Sequence, residues 1–177
     1  MSTIQFAIVK TSHGSFGYVA DKEKLVATFL PEPEGEQRKR IASQWPSARE
    51  SKTLLPAFRK QVVNYYAGKG TGFDVTIDLS PQPPFRRKVL EACRKVEHGT
   101  TTNYAELARR AGSAKAVRAA GGAMANNPLP LVIPCHRVLR SDGSLGGFSS
   151  PQGLMQKKRM LLLERDIAKP NTPRKQP

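Results

Sequence analysis

Residues 103–124 read NYAELARRAGSAKAVRAAGGAM, and this stretch decides the fold. Asn103 and Glu106 stand three apart, the spacing of an N-cap and the third helical position in a capping-box-like start. A helix through Tyr104, Leu107 and Ala108 follows, and Gly112 breaks it. Ser113 can cap a second helix, expected from about Ala114 to Met124. Helix, short glycine turn, helix is the pattern of a helix-turn-helix. The second helix is nearly without bulk, because Ala114, Ala116, Ala119, Ala120, Gly121, Gly122 and Ala123 supply most of it. Either its backbone comes close to a partner surface or it packs tightly on another helix; the segment alone leaves both open.

Working outward, Asn126-Asn127-Pro128 ends that helix, since the residue before a proline resists the α region. Leu129 to Pro134 reads as a short extended apolar run. Ser141-Asp142-Gly143 and Gly146-Gly147 mark turns or loops. Leu154, Met155, Leu161, Leu162 and Ile167 suggest a final amphipathic helix. The tail, residues 169–177, is basic and proline-rich and is expected to be disordered. Upstream, Phe85, Val89, Leu90, Cys93 and Val96 share a helical face, with Arg86, Arg87, Lys88, Arg94 and Lys95 on the solvent side. Cys93 lies on the apolar stripe, which makes packing its expected role. Three prolines in residues 80–84 read as an interdomain linker.

Residues 3–9, 15–20 and 25–30 are short apolar or alternating runs, with Ser12, His13 and Gly14 punctuating the first pair; they predict a small antiparallel sheet. Residues 31–53 suit a surface connection or a short helix. Leu54, Leu55, Phe58, Val62, Tyr65 and Tyr66 recur at helical spacing until Gly68 and Gly70. Val75, Ile77 and Leu79 alternate as one more strand. The expected fold is α/β of the α+β kind. An N-terminal α/β domain occupies residues 1–80, and a mostly helical domain with the helix-turn-helix occupies 85–168.

The 177 residues are enough to bury a core, and apolar residues make up an ordinary 38%. No run of about 18 apolar residues is present to cross a membrane. The N-terminus lacks the layout of a secretory signal. Lysine and arginine total 29 against 14 acids. Residues 1–84 carry 11 basic and 8 acidic residues, whereas residues 85–177 carry 18 and 6. The C-terminal half is therefore the expected nucleic-acid face. A phospholipid partner, or a basic surface kept for solubility, is the competing reading. Two cysteines, Cys93 and Cys135, are too few for a disulfide scaffold or a cysteine-built zinc site.

The chemistry concentrates at Ile133-Pro134-Cys135-His136-Arg137-Val138. Cysteine reacts as the thiolate, and a free thiol of pKa about 8.5 is mostly protonated at neutral pH. His136 can take its proton. Neighbours in an extended segment point to opposite faces, so a water bridge or a tight turn is needed. Pro134 fixes the approach to such a turn.

Pro134-Cys135-His136-Arg137-Val138, preceded by Asn127-Pro128-Leu129-Pro130-Leu131-Val132-Ile133, resembles the active-site signature of the O6-alkylguanine-DNA alkyltransferases. Val117-Arg118-Ala119-Ala120-Gly121-Gly122-Ala123-Met124 resembles that family's recognition helix, and Thr102 to Ala108 its partner. The likeness covers roughly residues 85–165; the N-terminal part matches only in layout. The resemblance implies DNA repair by irreversible transfer of a methyl or larger alkyl group from O6-alkylguanine, or O4-alkylthymine, to Cys135. It implies a single-use methyltransferase. His136 would deprotonate Cys135 through a water, Glu164 would orient His136, and Asn127 would hold the cysteine segment. Tyr104 would press on the phosphate of the target nucleotide. Arg118 would fill the place the base leaves, on a helix whose Ala119, Gly121 and Gly122 admit the minor groove. Val138, Phe148 and Ser149 would line the base pocket.

Physical argument supports these roles. An O6-alkyl carbon is inaccessible in a stacked duplex, so the base must be flipped. A bare helix offers little base readout, so phosphate contacts should dominate binding. The resemblance implies no cofactor. Some relatives bind zinc in the N-terminal part, but no cysteine precedes Cys93, so no metal is expected. The expected partner is double-stranded DNA, met by a monomer in the cytoplasm of a prokaryote or the nucleus of a eukaryote. The loop Ser149-Ser150-Pro151-Gln152-Gly153 is longer than in many relatives, which leaves the tolerated alkyl size open. Rival readings are a non-catalytic module that recognises alkylated bases, a helix-turn-helix regulator and a Cys-His hydrolase.

Overall fold

The computed structural model describes residues 4–168; the expected disordered tail, residues 169–177, lies outside them. Strands β1 (Ile4–Thr11), β2 (Gly14–Asp21) and β3 (Lys24–Glu32) form an antiparallel meander. Helix α1 (Glu34–Gln44) crosses one face and leads to a two-residue strand β4 (Arg49–Glu50). This strand pairs parallel to β1 and gives the order β3-β2-β1-β4. Helix α2 (Pro56–Tyr66) covers the other face, with proline in its first turn, where the missing N–H costs nothing.

The turn between β2 and β3 places Lys22 and Glu23 at φ 47° and 66°. Two positive angles match the right-handed twist of a tight hairpin, which Asn-Gly normally supplies. Gly17 is required by close approach. A Cβ there would meet the Gln37 Oε1 at 3.0 Å and the Ile41 Cδ1 at 3.1 Å. Buried Gln37 donates its Nε2 to Ser15 O (2.7 Å) and Leu30 O (2.9 Å), which pins α1 to the sheet.

Pro83 and Pro84 open helix α3 (Pro84–Arg94), whose buried stripe is Val89, Leu90, Ala92 and Cys93. Then follow β5 (Thr102–Asn103), α4 (Tyr104–Arg110), α5 (Val117–Ala125), β6 (Val138–Leu139) and α6 (Gly153–Ala168). One buried cluster runs from Tyr18, Phe58 and Tyr65 through Leu90, Cys93 and Leu107 to Leu129 and Cys135. The two halves also share hydrogen bonds: Thr28 N–H to Pro128 O at 3.0 Å, and the Thr28 hydroxyl to Pro130 O at 2.7 Å.

Four local expectations need correction. Residues 75–79 bury Val75 and Leu79 but make only an isolated bridge, Ile77 with Leu25, because β3 shares its outer edge with residues 128–130. Ser113 does not cap α5. Residues 113–116 form a turn and the helix starts at Val117, with Ala116 as its N-cap. Residues 129–134 are not extended. Leu131 takes φ 81° and Ile133 N–H bonds back to Leu129 O at 2.8 Å. Three residues of the apolar stripe assigned to the last helix face outward, with Leu154 49%, Met155 63% and Leu162 40% exposed, while Leu161 is half-buried and the side chain of Ile167 lies outside the described residues. The helix's inward stripe is Gln156, Lys157, Met160 and Glu164, because what it meets are carbonyls and charged groups. Val138 is fully buried, and the residues walling the cavity at Cys135 do not include it.

Candidate active site

Cys135 begins a single 3₁₀ turn, Cys135–Arg137. Its N–H bonds to Ile133 O at 2.8 Å, and Arg137 N–H bonds to Pro134 O at 2.9 Å. Of the water bridge or tight turn that the adjacent cysteine and histidine call for, the turn is thus present. Asn127 braces the approach: its Nδ2 donates to Ile133 O at 2.8 Å and its Oδ1 accepts from Leu129 N–H at 3.0 Å. These bonds hold Leu131 in the left-handed region, a conformation that costs a branched residue on the order of 1 kcal/mol.

Cys135 is 7% exposed and faces a cavity of about 250 Å³. Tyr104, Gly121, Met124, Ala125, Gly147, Phe148 and Ser149 complete its wall. Burial pushes the thiol up, while Asn127, Lys157 and the amides of Cys135 and His136 oppose it. The resting group is therefore a thiol that needs a base.

His136 is fully buried. Its Nε2 lies 2.6 Å from Glu164 Oε1, while its Nδ1 is buried with no hydrogen-bond partner among the described residues. Burial lowers the imidazole pKa, Arg137 and Lys157 lower it further, and Glu164 opposes them. A neutral ring that donates Nε2–H to Glu164 leaves Nδ1 as a bare acceptor.

Glu164 gathers four donors. Besides His136, it takes Arg137 Nε on Oε2 and Nη2 on Oε1, both at 2.9 Å, and the Tyr65 hydroxyl on Oε1 at 2.8 Å. Gly99 N–H adds a longer bond of 3.4 Å. Burial alone would raise its pKa, but His136 and Arg137 hold the carboxyl well below the usual range. Lys157 is fully buried. Its Nζ donates to Val138 O at 2.6 Å and to Leu145 O, and lies 5.8 Å from the Phe148 ring centre.

The sequence reading had not placed Arg137, Tyr65 or Lys157 in this network. Arg137 lay inside the signature already quoted. Tyr65 and Lys157 carry no local signal, because a tyrosine on an apolar stripe and a lysine in a helix look ordinary.

On α5, Val117, Arg118, Ala119, Gly122 and Ala125 face solvent, whereas Ala120, Ala123 and Met124 are buried. A Cβ at Gly121 or Gly122 would meet nothing within 4 Å. Packing inside the chain therefore does not demand those glycines. Asn103 caps α4 through Oδ1 to Glu106 N–H at 2.9 Å. The Glu106 carboxylate turns to Arg109 (2.6 Å) and Arg110 (2.7 Å) instead of closing a capping box.

Fold and site together define a basic helix-turn-helix protein with a buried cysteine–histidine–glutamate centre. Residues 84–166 match the family model described as 6-O-methylguanine DNA methyltransferase, DNA binding domain. The methylated-DNA–protein-cysteine methyltransferase of Methanosarcina acetivorans is 31% identical over 160 residues, which is 90% of this chain and 97% of that protein. The Methanothermobacter thermautotrophicus protein of that name is 40% identical over 114 residues, 64% of this chain, and only 60% of its own length is spanned. A crystal structure of Mycobacterium tuberculosis OGT in complex with DNA superposes with TM-score 0.78 at 26% identity, covering 93% of this chain and 94% of that one. The chain belongs to the methylated-DNA–protein-cysteine methyltransferase family.

Proposed function

We propose that this protein repairs DNA by moving an alkyl group from O6 of guanine to the Sγ of Cys135. The observation that carries this reading is the buried Nδ1 of His136, unpartnered among the described residues, one position along a 3₁₀ turn from a buried thiol that faces a cavity. A water between Sγ and Nδ1 completes the path for the proton. The thiolate attacks the alkyl carbon, an S–C bond forms and the C–O6 bond breaks. The proton held by His136 returns through water to the leaving guanine. The imidazolium that exists in between is stabilised by Glu164. A thioether has no easy hydrolysis route, so each molecule acts once.

The carbon cannot be reached in a stacked duplex, so the nucleotide is flipped into the cavity. Phe148 and Ser149 line it, and Met124 and Ala125 join them. Tyr104 presses on the target phosphate. The exposed Arg118 enters the stack from the bare face of α5, where Ala119, Gly121 and Gly122 let the backbone approach the minor groove. In this reading residues 85–168 meet DNA and residues 1–80 brace them, in a monomer working in the compartment that holds DNA. Among the described residues, no helix is long and apolar enough to cross a membrane.

The deciding experiment is intact-protein mass after incubation with a duplex bearing one O6-methylguanine, beside Cys135→Ala. A gain of one methylene on Cys135, absent in the variant, is expected. Tight binding without that gain would leave a damage-recognition module, and release of a hydrolysed small substrate would reveal a thiol hydrolase.

A further inference from the structure

The rim of the cavity carries a cation that the scheme above does not use. Arg140 leaves β6 as the first residue of a tight turn: its N–H bonds to Ser144 O, and Gly143 N–H bonds to Arg140 O, both at 2.9 Å. Its backbone is thereby fixed while its side chain is exposed. Among the described residues its guanidinium forms no hydrogen bond. Asp142, on the same turn, is engaged by Ser144 N–H at 2.9 Å.

Gly146 shows where this side chain stands. The position of a Cβ on Gly146 lies 3.1 Å from the Tyr104 hydroxyl and 3.4 Å from Arg140 Cγ. The two side chains therefore flank one spot at the mouth of the Cys135 cavity, and Tyr104 forms part of the cavity wall. A phenol O–H and a guanidinium are both donors, and a tyrosine hydroxyl and an exposed arginine stem on either side of one glycine suit an anion. Gly146, at φ 68°, keeps the gap between them clear.

We propose that Arg140 and Tyr104 form a clamp for one phosphate of the flipped nucleotide, with Arg140 as its charged jaw. The inference rests on the base-flipping reading given above. A base inserted in the cavity leaves its own phosphates at the mouth, since flipping turns the nucleotide about its backbone. The clamp holds the rotated backbone without reading any base.

The test uses Arg140→Ala and Arg140→Lys in the full chain, with duplexes holding one O6-methylguanine. In a second set, a single neutral methylphosphonate replaces each flanking phosphate in turn. Alkyl transfer is followed by intact mass and binding by fluorescence anisotropy. Arg140→Ala is expected to slow transfer about tenfold, the scale of one charge-assisted hydrogen bond. Its salt dependence of binding should be shallower by about 0.9 in log–log slope, the signature of one lost phosphate contact. At one position the methylphosphonate should slow the parent protein about as much and Arg140→Ala no further. Arg140→Lys, which keeps the charge but loses the fork, should fall between. Parent-like behaviour of Arg140→Ala, or losses that multiply at every position, would overturn the clamp. Failure of the parent protein to gain a methylene would instead remove the transfer reading, and the anisotropy cycle would still judge the clamp.

Discussion

The Tyr65 hydroxyl donates to Glu164 Oε1 at 2.8 Å, joining residues 99 positions apart and tying α2 to the centre that holds Cys135. Burial and the neighbouring carboxylate raise the phenol pKa well above its usual value, so it remains a donor. Tyr65→Phe should lose this one bond and about 1 kcal/mol of stability, read by urea denaturation. Tyr65→Ala also empties a core position and should cost about 3–5 kcal/mol. A Tyr65→Phe variant as stable as the parent would mean that packing alone matters and the hydroxyl contributes nothing, whereas equal losses in the two variants would mean that the ring's packing contributes nothing beyond the hydroxyl.

The second expectation concerns pH. His136 is held below its ordinary 6.5, so it stays a neutral base until the medium is acidified beneath that value. The single-turnover rate should be flat through neutral pH and should fall along a limb lying below 6.5. Glu164→Gln removes the influence that raises the imidazole, so its limb should move lower still. Its plateau should drop on the order of a hundredfold, because the imidazolium loses its counter-charge. Stability follows the same sign. Both groups bind protons more readily when unfolded, so stability is lost as pH falls beneath 6.5 for His136 and beneath 4.5 for Glu164. An upward move of the limb in Glu164→Gln would contradict the assigned base.

The third expectation separates the two faces of α6. Met155→Glu and Leu162→Glu alter exposed positions and should change stability by no more than about 0.5 kcal/mol. Lys157→Met keeps the volume but strips the donor from Val138 O and Leu145 O, and should cost about 1–3 kcal/mol per unsatisfied carbonyl. It should also speed amide exchange in the turn at residues 140–147. The reverse ranking, with exposed leucine costly and lysine neutral, would restore the amphipathic reading of the sequence.

That helix shows where legibility ended. Period-2 and period-3.6 patterns located the meander, α2, α3 and the helix-turn-helix, because each buries an apolar face. They located α6 but missed its inward face, which satisfies carbonyls and charges contributed by distant segments. They gave no sign of the left-handed angles at Lys22, Glu23 and Leu131, which surrounding bonds enforce on non-glycine residues. The two-residue β4 sat inside a stretch read as connection, since a strand that short has no period to detect. At the centre, Cys135, His136 and Asn127 were named from the signature and Glu164 from the wider resemblance. Their link to Tyr65 was not, because a hydrogen bond across 99 positions leaves no trace in local pattern.

The last expectation divides the two thiols. Cys93 is fully buried on α3, and burial pushes its pKa up strongly. Cys135 is also raised by burial, but it faces a cavity and has a base beside it. Reaction with a small electrophile follows thiolate fraction and access, so the native protein should take up one equivalent, at Cys135. Uptake should vanish in Cys135→Ala and after treatment with the methylated duplex, and a second equivalent should appear only in denaturant. Cys93→Ala removes a buried sulfur and should cost about 1 kcal/mol while leaving methyl uptake intact. Labelling of native Cys93 at a rate near that of Cys135 would show that access, and with it the division between packing thiol and acceptor thiol, has been misread.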